Sequence, residues 1–410
     1  MRVIKHREWL LPLLTLAFAG TAVNYVNVVF SSSVRWGVLV LALFLVMKSR
    51  MVVPIFRTSF MRITLIFMAW ALVTYLWSEE PELSLMKGVA LAFVILAGAG
   101  GGYLWVRYHP IDSALDALAP MSLMVLAAGV FGLDTVNSLG AREGLTMYRG
   151  LTGNPNMFGA LCAMAFPFAT WKYSCALSPR GRYFWGAFTL ILTALVLLSN
   201  SRAAIGVVLF AGLGLFGAQG VRKVLPKAFL VLLALGIFAV VMPNVVQDLE
   251  TRFVYKANRE GGLIFSRDSE WTASYEQALK GGWIGGGYGV TIGSGQSFKG
   301  GLNAIGYGRE KANSQLGIME EMGLVGLSLY IVGTLSLFAT IWRARRRCRE
   351  PRVRKLLGLM TGVLAGLTFH SVFEAWYNAP GSPESMYYWV MVGIAVGLAT
   401  DPRLRSTPSH

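Results

Sequence analysis

The stretch NSQLGIMEEMGLVGLSLYIVGTLSLFATIW, residues 313–342, runs directly into RARRRCREPRVRK, residues 343–355. The first is long and apolar enough to cross a bilayer, for which about 20 residues suffice. The second is a block of arginine and lysine of the kind that holds a membrane helix on its cytoplasmic side. Further apolar runs of similar length lie on either side, and of the 410 residues 55% are hydrophobic and only 14% charged. A soluble domain carries about 25% charged residues. A single soluble core is therefore excluded, and an all-α polytopic membrane protein is expected. The mean hydropathy of +0.54 agrees.

The runs predict twelve spans, at residues 9–30, 34–47, 59–77, 83–106, 113–133, 151–171, 183–198, 203–218, 228–242, 313–342, 356–376 and 386–400. The loops with Lys48, Arg50 and Arg57, with Arg107, with Lys172, Arg180 and Arg182, with Arg222, Lys223 and Lys227, and with 343–355 fall on one side, together with both termini. The positive-inside rule makes that side cytoplasmic. This gives nine spans over 1–242, an outward segment over 243–312, and three spans over 313–410. The net charge of +16 is concentrated in these anchors, which points to anionic membrane lipids and not to nucleic acid. Cys162, Cys175 and Cys348 give no disulfide framework, and the first apolar run exceeds a signal-peptide core.

The one long polar interval is 243–312, roughly seventy residues. Connections beyond about 12–15 residues are usually functional or disordered. This one carries Arg252, Arg259, Arg267, Asp268, Glu270, Lys280 and Lys311, with aromatics from Phe253 to Tyr288 scattered through it. Those aromatics favour a folded segment over a linker. Its glycine clusters at 285–289 and 293–301 follow no βαβ context, so they do not read as a nucleotide loop.

The unusual side chains collect on the outward side. Arg202 is the only charge between Tyr183 and Val221. An arginine at a membrane surface is costly unless it snorkels or has a purpose, and Asn200 and Ser201 beside it could share an anion. Arg267 and Trp271 are four apart and share a face if helical. The planar guanidinium suits phosphate oxygens better than an ammonium does; the plainer reading of Arg267 is a salt bridge to Asp268 or Glu270. His370 and Glu374, also four apart, would stack on one helical face, where the carboxylate orients the ring of a proton acceptor, or they form a structural pair. Asn154 before Pro155 reads as a helix cap, at a helix start that could also offer N–H groups to an anion. Glu320 and Glu321 are further carboxylates at the start of the tenth span. Arg149, Lys311 and Asn313 complete the candidate substrate contacts. No further His or Cys completes a metal set on this side, so no metal and no cofactor are expected.

Taken in order, GLTGNPNMFG (150–159), LSNSRAAIG (198–206), RDSEWTASYEQALKGGWIGGGYG (267–289) and ANSQLGIMEEMGLVG (312–326) resemble the O-antigen ligase and O-antigen polymerase family. These are bacterial membrane glycosyltransferases that use undecaprenyl-diphosphate-linked glycans. The resemblance implies a twelve-helix inner-membrane enzyme related to the C-type glycosyltransferase fold, with its long loop periplasmic, above an outward cavity. It implies a lipid-linked glycan donor, a glycan acceptor, no metal, and partners among other polysaccharide-assembly proteins. Arg202 and Arg267 match by position the family's diphosphate-binding arginines. The family's ligases carry a histidine directly before the asparagine of their HN motif, where this chain has Ala312 before Asn313. With Glu310, Lys311 and Ser314 this variant resembles exopolysaccharide-polymerase members. A polysaccharide polymerase is thus expected, with His370 and Glu374 handling the acceptor proton; a ligase and a lipid-linked-glycan transporter are the alternatives.

Overall fold

The computed structural model describes residues 9–132, 147–218, 265–292 and 311–401, with side chains from 268 onward in the third stretch, and the isolated positions Asn244, Gln247 and Glu250. The expected ninth span, the glycine cluster 293–301, Arg252, Arg259, Glu310 and the side chain of Arg267 lie outside the described residues. Within them the chain is helical: α1 Leu10–Gly20, α2 Ser32–Met47, α3 Ser59–Val73, α4 Pro81–Tyr108, α5 Ala119–Phe131, α6 Pro155–Cys175, α7 Pro179–Leu198, α8 Arg202–Gly217, α9 Phe265–Gly281, α10 Ser314–Arg347, α11 Pro351–Phe373 and α12 Pro383–Ala399. Among the described residues six helical segments are long and apolar enough to cross a membrane, or seven if α2 and the segment Arg50–Phe56, bent by 82° from it, make one span.

The first expected span needs correction. Helix α1 stops at Gly20, and a separate short helix covers Val26–Val29. The reason is a tertiary tie: Asn24 N–H donates to the Leu151 carbonyl at 2.7 Å, and Val23 bridges Thr152. Tyr25 takes a positive φ of 69° at the break.

Contacts define two ends of the bundle. At one end Asp112 meets Arg352 at 3.0 Å, Asp116 meets Lys172 at 2.6 Å, and Arg107 meets Asp401 at 3.1 Å. Arg345 there donates to the Gly217 carbonyl. This is the basic end. The opposite, polar-loop end gathers Val23, Arg35, Trp77, Thr152, residues 285–292 and Gly381 through contacts among themselves. The partition matches the sorting of loops by charge.

Two glycine seams hold the helices close. A Cβ at Gly102 of α4 would lie 2.2 Å from the Val390 carbonyl oxygen of α12, and one at Gly393 would lie 2.1 Å from that of Ala99. The α8–α11 pair repeats the arrangement: a Cβ at Gly362 would lie 2.1 Å from the Phe210 carbonyl oxygen. Small residues let membrane helices approach to backbone contact, where dispersion does the holding.

Helix α10 is broken at Gly323, whose φ of 67° and ψ of −169° interrupt the spiral. The loop after α9 fills the gap. Gly286 and Gly287 N–H donate to the freed carbonyls of Glu320 and Glu321 at 2.9 and 3.0 Å, and Leu324 and Val325 N–H donate to the Gly282 and Trp283 carbonyls at 3.0 and 3.2 Å. Trp70 Nε1 donates to the Met322 carbonyl at 2.9 Å. Backbone groups freed by a break in an apolar setting need such partners. The outer part of α10, 314–322, thus belongs to the polar-loop end and the remainder to the bundle.

Candidate functional site

The polar-loop end is built from helix starts and stops. Asn154 caps α6, its Oδ1 accepting from Asn156 N–H at 2.8 Å. Ser201 caps α8, accepting from Ala204 N–H at 3.4 Å. Asn313 caps α10, its Oδ1 accepting from Leu316 N–H at 2.9 Å. Three of the candidate substrate residues are therefore used as caps, which satisfy donors that a helix start leaves open. Arg149 donates to the Gly153 carbonyl at 3.4 Å beside the start of α6.

The turn between α7 and α8 is tight. Asn200 has φ of 56°, a left-handed conformation that asparagine tolerates better than most residues. The turn packs on α6, where a Cβ at Gly159 would meet Ser199 Oγ at 2.5 Å. Asn200 is 1% exposed, and neither its side-chain nitrogen nor its oxygen has a hydrogen-bond partner among the described residues. Buried amides are nearly always satisfied by protein or ordered water, so this one is open to a ligand or a water. Arg202, half-buried, stands at the first position of α8. A cation there is opposed by the helix dipole; an anion at the same place would be held by the dipole, the guanidinium and the Asn200 amide together.

The end of α11 stands beside this turn, because Phe369 packs where Gly206 leaves room and its ring lies 5.6 Å from that of Phe210. Here the expected His370–Glu374 stack is corrected. Helix α11 ends at Phe373, and Glu374 is extended with φ −145° and ψ 136°. Ser314 draws the chain out of the helix: its Oγ donates to the Glu374 carbonyl at 2.9 Å and accepts from Tyr377 N–H at 3.2 Å. The Glu374 carboxylate accepts from Asn156 Nδ2 at 3.4 Å. His370 Nδ1 accepts from Trp376 Nε1 at 2.8 Å, so an indole and not a helical neighbour orients the ring. With Nδ1 accepting, a neutral ring carries its proton on Nε2.

Helix α9 does form over 265–281, which places the backbones of Arg267 and Trp271 one turn apart. Trp271 stacks on Phe373 with ring centroids 5.5 Å apart, and Phe373 lies 5.1 Å from Phe369. The polar interval is thereby docked onto the end of α11.

Lys311, Glu320 and Glu321 form a separate group, all within 2% of full burial. Lys311 Nζ lies 2.7 Å from Glu321 Oε1 and 3.3 Å from Glu320 Oε2, and donates to the Val290 carbonyl at 3.0 Å. Asn378 Nδ2 donates to Glu321 at 3.0 Å, and Ile292 N–H donates to Glu320 at 3.2 Å. Lys87 reaches the same loop, donating to the Gly289 carbonyl at 2.8 Å. Two lysines balance two glutamates, and the group clamps residues 289–292 onto α10 and α4. Lys311 and Glu320 are engaged here in scaffolding.

Two residues of this end escaped the sequence reading. Arg35 donates to the Gly381 carbonyl at 2.8 Å, with its guanidinium 5.4 and 5.2 Å from the rings of Phe18 and Trp36. Its Nε is buried without a partner among the described residues. The signal was the one that singled out Arg202, an arginine at the outward end of an apolar run. Glu384, in the first turn of α12 and ahead of the apolar run from Met386, is 4% exposed. Burial pushes its carboxyl up to about 7, and the neighbouring Glu374 charge pushes the same way. In sequence it resembles an ordinary acid at a helix start, so nothing marked it.

No protein-family model matches the chain, and no curated protein shows significant similarity to it.

Proposed function

We propose that the chain is a metal-independent membrane glycosyltransferase, a polysaccharide polymerase that moves a glycan from undecaprenyl diphosphate to the end of an acceptor glycan. In this reading the twelve spans cross a bacterial inner membrane, with both termini cytoplasmic and the polar-loop end periplasmic. The observation that carries it is the buried, unpartnered Asn200 amide next to Arg202 at the start of α8. It lies beside the end of α11, where the carboxylates Glu374 and Glu384 gather. An anion site flanked by proton acceptors is what transfer from a diphosphate needs.

The acceptor hydroxyl oxygen attacks the anomeric carbon, the bond from that carbon to the diphosphate oxygen breaks, and the hydroxyl proton passes to a carboxylate. The diphosphate leaves with the electron pair. Arg202, the Asn200 amide and Arg267 stabilise the charge that builds on it, and preorganised donors of this kind are commonly the largest single contribution to catalysis. Glu374 and Glu384 replace His370 as the favoured proton acceptors, since the His370 Nδ1 is taken by Trp376. Ala312, 2% exposed, supplies no ring where the ligases carry histidine, which favours the polymerase over the ligase.

The test uses purified protein in detergent with lipid-diphosphate glycan and, in parallel samples, a glycan acceptor or lipid A core, where no second compartment exists. Longer glycan and free undecaprenyl diphosphate are expected. Transfer to lipid A core alone would make it a ligase. Absence of bond formation, with movement of the donor across liposomes, would make it a transporter.

A further inference from the structure

The basic end carries a second polar site that glycosyl transfer does not use. A cavity of about 110 Å³ opens between the end of α10, the start of α11 and the end of α12. Arg343 and Arg347 line it, with Val353, Leu357 and Leu398 as apolar wall. The other polar lining groups are satisfied within the protein. Thr340 donates to the Ser336 carbonyl at 2.8 Å and Thr400 to the Val396 carbonyl at 2.8 Å. The Cys348 thiol points to the Glu350 carbonyl at 3.6 Å. Asp401 is neutralised by Arg107 at 3.1 Å.

The two arginines are different. No side-chain hydrogen bond, ion pair or ring contact involves Arg343 or Arg347 among the described residues. Their neighbours Arg345 and Arg346 are engaged, with the Gly217 carbonyl and the Trp342 ring respectively. The aspartates of this end are also engaged: Asp112 with Arg352, Asp116 with Lys172, Asp401 with Arg107. Glu350, the cap of α11 at this end, is exposed. Arginines at i and i+4 on one helix repel, and here both face one cavity whose other charges are already balanced.

We propose that this cavity binds the phosphodiester headgroup of an anionic phospholipid of the adjoining leaflet. The chemistry shared by all candidate ligands is a phosphate monoanion, which the guanidinium fork recognises. A lipid is the occupant that fits the place. Trp342, 51% exposed, stands one residue before Arg343 as interfacial tryptophans do. Leu335 and Ile331 continue the same helix as exposed apolar surface along which acyl chains can lie. The bound phosphate would offset the repulsion between Arg343 and Arg347, which both stand on α10.

The experiment titrates full-length, detergent-purified protein with short-chain phosphatidylglycerol and counts retained lipid by native mass spectrometry. Phosphatidylcholine and soluble glycerophosphoglycerol run as parallel arms. One phosphatidylglycerol per chain should be retained, with little phosphatidylcholine and little of the soluble headgroup. Arg343→Gln/Arg347→Gln should weaken retention roughly tenfold or more. Arg180→Gln/Arg182→Gln, which removes the same charge from exposed positions at the same end, should leave it unchanged. Equal loss in both double variants would mean diffuse attraction and would overturn the site. Equal retention of phosphatidylcholine would also overturn it, and tight binding of the soluble headgroup would overturn the lipid as occupant. Should the double variant fail to fold, Arg343→Gln and Arg347→Gln singly must each show a partial loss that Arg180→Gln does not.

Discussion

Replacing Gly323 with alanine tests whether the loop after α9 is spliced into the break of α10. The backbone at Gly323, with φ of 67° and ψ of −169°, lies in a region open almost only to glycine, and a residue held in such a region costs about 1–3 kcal/mol. A Cβ there would also sit 2.3 Å from the carbonyl carbon and oxygen of Trp283 and 2.4 Å from Ile284 N. These are backbone atoms, so relief requires the loop to retreat. Retreat gives up the bonds from Leu324 and Val325 N–H to the Gly282 and Trp283 carbonyls, each worth about 0.5–1.5 kcal/mol net. The sum is roughly 2–6 kcal/mol, a large share of a typical stability of about 5–15 kcal/mol. Thermal unfolding in detergent should report the loss, and proteolysis should open residues 282–292 ahead of global unfolding. Gly37→Ala is the control: it is helical with nothing within 4 Å of its added Cβ, and should be neutral or stabilising by up to about 1 kcal/mol. If Gly323→Ala unfolds within about 0.5 kcal/mol of wild type, the splice does not hold the loop and the reasoning fails.

Lys311→Met should destabilise by about 3–5 kcal/mol, because it strands buried Glu320 and Glu321. Adding Glu321→Gln should recover part of the loss in chemical unfolding, and strict additivity would contradict the clamp. Glu384, held near 7 against an ordinary 4.5, keeps its proton in the folded state where the unfolded chain has lost it. Its contribution is therefore most favourable below about pH 4.5, is lost progressively as pH rises to about 7, and is flat above. Glu384→Gln should remove that slope, so its stability relative to wild type should rise between pH 5 and pH 8; a difference independent of pH would refute this. Arg267→Lys should abolish polymer formation nearly as fully as Arg267→Ala, because lysine lacks the planar fork. Restoration by lysine would reduce the residue to a point charge.

Much of the helical content was legible because apolar runs near bilayer length announce themselves, and Asn154 before Pro155 is a helix cap by residue type alone. What was not legible depends on residues distant in sequence. The end of α11 before Glu374 is set by Ser314, some sixty positions away, so spacing by four suggested a stack that does not form. The break at Gly323 needs the 282–287 loop to fill it, and α1 stops short because Asn24 is tied to Leu151. Gly98, Gly102, Gly393 and Gly397, like Gly358, Gly362 and Gly366, are spaced by four and could have been read as close-packing faces. Arg35 could have been flagged on the same ground as Arg202. Glu384 could not, since its burial beside Glu374 is visible only in three dimensions.

In the proposed reaction the start of α8 holds a diphosphate whose charge grows as the glycosidic bond breaks. The direct measurement is single-turnover release of undecaprenyl diphosphate by purified wild-type protein and Arg202→Ala, with donor binding measured on the same samples. A donor interaction that strengthens in the transition state lowers turnover more than binding when removed, and loss of one fixed donor costs about 2.7–4 kcal/mol. Release from Arg202→Ala should slow roughly a hundred- to a thousandfold with donor affinity nearly kept. Release at the wild-type rate from Arg202→Ala that binds donor normally would contradict it.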